Sequence, residues 1–330
     1  MAAARPMSET PDQWIDPALH ALAAEQREMN RKVIDAGADN PPPGAVPPEK
    51  IRRARREGRG GFPGVVLDDN ALDVTIEADP PVRVRHHPNA DASALLVHVH
   101  GGGWVFGSPD EVDAVVAELA RAASCDAISV DYRLAPEHPF PAGRNDVMVA
   151  IEWALDEAAR RGTDRVIVAG ESSGAHLALC AVLELGPAAL RARGLVGLSL
   201  AFGFFDVGLS PSARNWGDEF LALSTPWLQW FADQLVPDVP LDERGDPVYS
   251  PINAPNDLVA ALPPTFMIVG DADPLLDDTL TMAQRMRDAG ASVELAVYPD
   301  SPHGFIGMPT AMGRHGWQTI TNWIAAAASS

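Results

Sequence analysis

The residues best suited to chemistry in this chain lie directly behind short apolar runs. The pentapeptide Gly170-Glu171-Ser172-Ser173-Gly174 follows the β-branched run Val166-Ile167-Val168-Ala169 and opens onto Ala175-His176-Leu177-Ala178-Leu179. This reads as a strand, a sharp turn and a helix, with a serine at the tip. Such a turn forces the serine into a strained backbone conformation, and the flanking glycines let strand and helix approach without Cβ clashes. The hydroxyl then stands above the strand end beside a helix N-terminus. Unpaired N–H groups and the macrodipole there favour an attacking alkoxide and a tetrahedral oxyanion. Short Gly/Ser patterns also recur by chance, and an inert strand-to-helix turn is the competing reading.

A second run, Ala94 to His98, leads into His100-Gly101-Gly102-Gly103-Trp104. Three consecutive glycines offer backbone N–H groups unobstructed by side chains, which suits an oxyanion hole or an anion nest. A phosphate-binding loop is the rival, but G-x-x-x-x-G-K-[ST] and GxGxxG are both missing here.

A serine nucleophile needs a base within hydrogen-bond reach, and the base needs an acceptor to hold its tautomer. The histidines after Ser172 are His176, His303 and His315. His176 lies one helical turn past the serine and reads as a packing or polar-surface residue, and His315 as an exposed one. His303 sits in Tyr298-Pro299-Asp300-Ser301-Pro302-His303-Gly304-Phe305, a loop just after the last strand-like run. Candidate acids follow Phe266 to Val269: Asp271, Asp273, Asp277 and Asp278. Asp273, ahead of Pro274, is preferred because a loop acid at a strand end can face the histidine loop. Asp277 and Asp278 fall in the first turn of the next helix, where its dipole favours them. Asp271 is the alternative. These aspartates lack accompanying ligands at metal-site spacing, so no metal is expected.

The elements that must position these residues follow from periodicity. Pro11 to Asp35 is helical in pattern and ends at a proline linker, Asn40-Pro41-Pro42-Pro43-Gly44 and Pro47-Pro48. Leu72 to Glu77 and Val82 to His86 alternate as an antiparallel edge pair. Strands at Ala94 to His98, Ala127 to Val130, Val166 to Ala169, Leu195 to Leu200, Phe266 to Val269 and Val293 to Val297 then alternate with helices. Among these helices are Val112 to Ala122, Asp146 to Arg160 and Thr279 to Ala289. This predicts a mainly parallel sheet covered on both faces, with the site at the carboxyl ends of its strands. The alternation is broken between Phe202 and Pro264, an interval rich in proline and aromatic residues, with Thr225-Pro226 as a helix start. It reads as an inserted cap.

Composition narrows the partners. The chain has 330 residues, 46% of them hydrophobic and 21% charged, with 45 acidic against 25 basic side chains for a formal charge of -20. That charge repels phosphate backbones and anionic lipid surfaces, so no nucleic acid and no stable membrane association are expected. The basic cluster Lys50 to Arg59 reads as a solvated helix face or a match for local acidic surface. Only Cys125 and Cys180 are present, with no CxxC spacing, and Met1 to Pro6 lacks the apolar core of a leader. A cytoplasmic, reducing setting is expected.

Taken together the motifs resemble the hormone-sensitive-lipase family of α/β-hydrolases, which includes many bacterial carboxylesterases. The resemblance runs from about Val84 to Phe305. It is carried by His100 to Trp104, by Asp131-Tyr132-Arg133-Leu134-Ala135-Pro136-Glu137-His138-Pro139-Phe140-Pro141-Ala142, by the serine pentapeptide, by Asp273-Pro274-Leu275 and by His303-Gly304-Phe305. It implies an α/β-hydrolase fold: a mostly parallel eight-stranded sheet with helices on both faces and a helical cap. Residues 1–60 would be a helical segment contributing to the cap. Residues 61–330 would be the catalytic domain, with the cap inserted at about 203–262.

The resemblance further implies Ser172 as nucleophile, His303 as base and acid, Asp273 as orienting acid, and an oxyanion hole from the N–H groups of Gly102, Gly103 and Ser173. His100 and the Asp131 to Ala142 stretch would shape loops. Trp104, Phe204, Phe205, Trp216 and Phe220 are the candidate pocket residues, with Trp227 and Trp230 also in the cap. The expected reaction is hydrolysis of a small ester with a short, medium or aromatic acyl group, without metal or organic cofactor. The alternatives are an amidase on the same triad and a non-catalytic small-molecule receptor on the same fold, and a homodimer is an allowed assembly. The family commonly has Asp and Ala where this chain has Glu171 and Ser173.

Overall fold

The runs rich in Val, Ile, Leu and Ala pair into a single eight-stranded sheet. The computed structural model describes residues 14–38, 40–60 and 63–330; the first residues of the helical stretch expected from Pro11 lie outside them. The strands are β1 (Leu72–Ile76), β2 (Val82–His87), β3 (Ala94–Val99), β4 (Cys125–Val130), β5 (Val166–Glu171), β6 (Leu195–Ala201), β7 (Thr265–Ala272) and β8 (Val293–Pro302), in the order β1-β2-β4-β3-β5-β6-β7-β8. β1 and β2 pair antiparallel, as does β2 with β4, and every later pairing is parallel. β3 and β4 are buried along their whole length, as parallel strands covered on both faces must be, whereas β1 is largely exposed at the edge.

Alternation along each strand feeds two cores. Leu95, Val97, Val99 and Val168 face α4 (Ala142–Arg161) and α5 (Ser173–Leu185). Leu96, Ala127, Ile167 and Ala169 face α3 (Asp113–Ala122), α11 (Ala311–Ser329) and the N-terminal turn at Ile15 and Leu19. The remaining helices are α1 (Ala23–Gly37), α2 (Pro48–Arg56), α6 (Pro187–Ala192), α7 (Pro211–Asn215), α8 (Thr225–Leu235), α9 (Asn256–Ala260) and α10 (Leu276–Asp288).

Several boundaries differ from the sequence reading. β7 and β8 run beyond their apolar cores because their polar ends pair with each other, Gly270 with Tyr298 and Ala272 with Pro302. The helix expected at Asp146 begins at Ala142, directly after Pro141. Ahead of α1, a 3₁₀ turn (Pro17–Leu22) is capped by Asp16, whose carboxylate accepts from the Ala18 N–H at 2.9 Å. The basic cluster answers local acids and carbonyls: Arg52 binds the Glu137 carboxylate and the Val105 and Ala135 carbonyls, and Arg55 pairs with Glu111. Arg133 is held by Asp146 and donates to the Ala142 carbonyl, which draws the two ends of the Asp131 to Ala142 stretch together. Between β6 and β7, Phe220, on the loop from α7 to α8, packs on Gly37 of the N-terminal segment and Trp230 of α8 packs on Gly44, with Trp227 between the two rings. Among the described residues no helix is long and apolar enough to cross a membrane.

Candidate active site

Ser172 sits between β5 and α5 with φ 54° and ψ -121°. A non-glycine residue with this backbone stores about 1–3 kcal/mol, which the surroundings must hold. They do so at close quarters. The Ser172 N–H donates to the Ala201 carbonyl at 2.9 Å, extending the pairing with β6. A Cβ on Gly174 would lie 2.0 Å from the Val99 carbonyl oxygen, and one on Gly170 2.7 Å from Gly174 itself. Only glycine fits either position, which is the physical content of the two flanking glycines.

Asp273 follows β7 and is buried, with 1% of its surface exposed. Its Oδ1 accepts from the Leu275 N–H at 2.8 Å and its Oδ2 lies 2.9 Å from His303 Nδ1. A carboxylate offers only acceptors, so Nδ1 carries the proton and Nε2 is left to accept. Nε2 is 2.9 Å from Ser172 Oγ. The structure therefore brings Ser172, His303 and Asp273 into one hydrogen-bonded chain, with Ser172 and His303 partly open to solvent and the acid sealed beneath them. The histidine loop is itself anchored. Asp300, at φ 52°, gives its carbonyl to Asn30 Nδ2 at 2.7 Å and its carboxylate to Arg27, both on α1. The imidazole also rests edge-on against Phe202, ring centres 4.9 Å apart.

The triglycine loop leaves β3 beside the serine turn. A Cβ on Gly101 would be 3.4 Å from Ser172 Cβ and 3.0 Å from the Glu171 carbonyl oxygen. Gly102 and Gly103 have φ values of 128° and 62°, and the Gly102 carbonyl accepts from the N–H groups of Val105 and Phe106. Glycine is needed for both backbones. Ser173 is buried in the first turn of α5. His100 stacks on Tyr132 at 4.3 Å, its Nδ1 lies 2.9 Å from the Gly101 carbonyl oxygen, and burial pushes its pKa down to about 3. It is a neutral brace for the loop.

Of the other candidates, His176 is buried: its Nδ1 accepts from Trp104 Nε1 at 3.1 Å and its Nε2 donates to the Tyr249 carbonyl at 2.7 Å. Trp Nε1 can only donate, which fixes this tautomer, and burial holds the ring's pKa at about 4. His315 is exposed and meets the Tyr298 hydroxyl. Asp277 accepts from the Ser212 N–H and Asp278 from the Asp206 N–H, and burial raises Asp278 well above the usual carboxylate range.

The five aromatic pocket candidates divide. Trp104, Phe204 and Phe205 are fully buried, with Trp104 and Phe204 at 5.0 Å, whereas Trp216 and Phe220 are half-buried on the segment between β6 and β7. Two aromatics outside that set touch the site directly. One is Phe202 under His303, and the other is Phe231, which lies so near Gly103 that a Cβ there would sit 2.3 Å from its Cδ1. The spacing Trp227, Trp230, Phe231 was the available signal, because it lines one face of a helix. Two clefts of about 670 and 440 Å³ are lined by other residues, among them His87 and Arg121 in one and Arg56 and His138 in the other.

Comparison with known proteins agrees with this architecture. A family model described as alpha/beta hydrolase fold matches residues 96–307. The chain is 35% identical to an ethyl acetate hydrolase of Pseudomonas putida over 235 residues, 69% of this chain and 72% of that protein. It is 34% identical to the carboxylesterase NlhH of Mycobacterium tuberculosis over 281 residues, 79% of this chain and 78% of that one. Among solved structures, a hyperthermophilic esterase from Pyrobaculum calidifontis superposes with a TM-score of 0.78 at 26% identity, over 96% of this chain and 99% of that chain. A hormone-sensitive lipase from a metagenome library gives a TM-score of 0.75 at 28% identity, over 92% of this chain and 98% of that chain. The chain belongs to the hormone-sensitive-lipase family of α/β-hydrolases.

Proposed function

We propose that this family member is a carboxylesterase that works through an acyl-enzyme on Ser172. The observation that carries the reading is the chain of two 2.9 Å contacts, Asp273 to His303 and His303 to Ser172, beside the triglycine loop. His303 Nε2 takes the hydroxyl proton as Ser172 Oγ attacks the ester carbonyl. The N–H groups of Gly102, Gly103 and Ser173 receive the oxyanion, and Asp273 balances the imidazolium. Collapse of the intermediate expels the alcohol, which leaves with the proton from His303. Water then attacks the acyl-enzyme with the same histidine as base, and the acid departs.

The segment between β6 and β7, joined by α1 and α2, is the cap over this site. Its rings at Trp227, Trp230 and Phe231 lie within 5.6 Å of one another, centre to centre, and support short to medium or aromatic acyl groups. The test is hydrolysis of p-nitrophenyl esters across acyl lengths, with Ser172→Ala alongside. Ser172→Ala is expected to lose activity by at least about 10⁴-fold while remaining folded. Unchanged turnover in that variant refutes the mechanism. Absence of turnover with every ester refutes the function and favours a receptor.

A further inference from the structure

The residue before the nucleophile is tied sideways to the strand that carries the triglycine loop. Backbone pairing of β3 with β5 ends at Val99 and Gly170. Beyond that point each strand enters half of the site: β3 passes into Gly101 to Gly103, and β5 into Glu171 and Ser172. A side-chain bond spans the pair at this level. Both carboxylate oxygens of Glu171 lie within reach of His98 Nε2, at 3.0 and 3.1 Å. His98 is 2% exposed, and its Nδ1 meets Ser129 Oγ on β4 at 3.1 Å. The register explains the row. Ser129, His98 and Ala169 are aligned across β4, β3 and β5, so their side chains share one face, and Glu171, two residues past Ala169, returns to it.

We propose that Glu171 is a positioning residue for the esterase reaction. By accepting from His98 it locks the nucleophile turn of β5 to the carboxyl end of β3, and so fixes Ser172 and Ser173 against Gly102 and Gly103. This rests on the serine-esterase reading above. The oxyanion donors come from both strands, so a small slip between the strands misplaces the hole relative to the hydroxyl. A displacement of about 1 Å in such a site costs up to about 100-fold in rate. Aspartate at 171 keeps the charge but withdraws it by one methylene, and glutamine keeps the reach but loses the charge that orders the bond.

The experiment compares wild type, Glu171→Asp, Glu171→Gln, His98→Gln and the double variant E171Q/H98Q. It measures kcat and KM on p-nitrophenyl butyrate, and the rate at which a p-nitrophenyl phosphonate blocks Ser172, each per folded molecule with Tm recorded alongside. Each single change is expected to lower kcat and the blocking rate about 10- to 100-fold while KM stays within about threefold. The double variant should fall no more than about threefold below the worse single, because both changes cut one link. Two results overturn the proposal: both Glu171 variants keeping kcat within about twofold with only Tm reduced, or losses that multiply in the double variant. Wild type that hydrolyses the ester beside an equally active Glu171→Gln sinks the tie alone. Wild type without turnover removes the esterase reading and the tie together.

Discussion

Asp273→Asn is the sharpest probe of the hydrogen-bonded chain, because the structure dictates how the amide must sit. Oδ1 of Asp273 accepts from the buried Leu275 N–H at 2.8 Å. An asparagine must keep its oxygen there, which turns its NH₂ toward His303 Nδ1. That nitrogen then accepts, the imidazole proton moves to Nε2, and Ser172 faces a donor where it needs an acceptor. The charge is lost as well. In the proposed attack an imidazolium forms with Nδ1 2.9 Å from Oδ2. At an effective dielectric of about 20, unit charges at that separation attract by about 6 kcal/mol. At 1.36 kcal/mol per decade this corresponds to about 10⁴ in rate, the size of loss the same change produces in the serine-protease template. Steady-state hydrolysis of p-nitrophenyl butyrate should therefore show kcat/KM reduced by about 10⁴, with Tm almost unmoved, since the replacement is isosteric. A loss below about tenfold in a folded protein refutes the assignment and passes the test to Asp271.

Gly103→Ala should lower kcat by about 10²–10³, the worth of one oxyanion donor, because φ 62° and a Cβ 2.3 Å from Phe231 Cδ1 both oppose it. Adding Phe231→Ala should recover part of the loss, and kinetics of the double variant check this. His176 gives a stability prediction. Burial lowers its pKa from 6.5 to about 4, so the unfolded chain takes up the proton first. The associated stability is full above about pH 6.5 and is lost as the pH falls toward 4, in total roughly 3 kcal/mol. In His176→Gln the amide accepts from Trp104 and donates to the Tyr249 carbonyl without titrating. Urea unfolding from pH 7 to 4 should show a shallower decline for this variant, and parallel curves for the two proteins would refute the argument.

What the sequence made legible is what local chemistry encodes. Ser172, Asp273 and His303 could be singled out because each sits in a loop behind an apolar run, and parallel sheets collect such loops at one edge. The glycines were legible for the same reason: a turn this tight excludes every Cβ, as the 2.0 Å approach of Gly174 to the Val99 carbonyl shows. The roles of the aromatics were not legible, because they depend on contacts between residues far apart in the chain. Trp104, Phe204 and Phe205 fill the core, whereas Phe231 reaches Gly103 from a helix more than a hundred residues away. His98 was hidden differently. Inside the run Leu95-Leu96-Val97-His98-Val99 it reads as one more core position, and its partner Glu171 lies 73 residues on. Phe202 shows why topology matters most. Sheet order places β6 between the strand carrying the serine and the strand carrying the acid, so the first residue after β6 lies under the histidine supplied by β8. In sequence Phe202 only begins a long insertion. The site is thus assembled from the ends of β3, β5, β6, β7 and β8, and an element that offers no reactive group still decides where the imidazole rests.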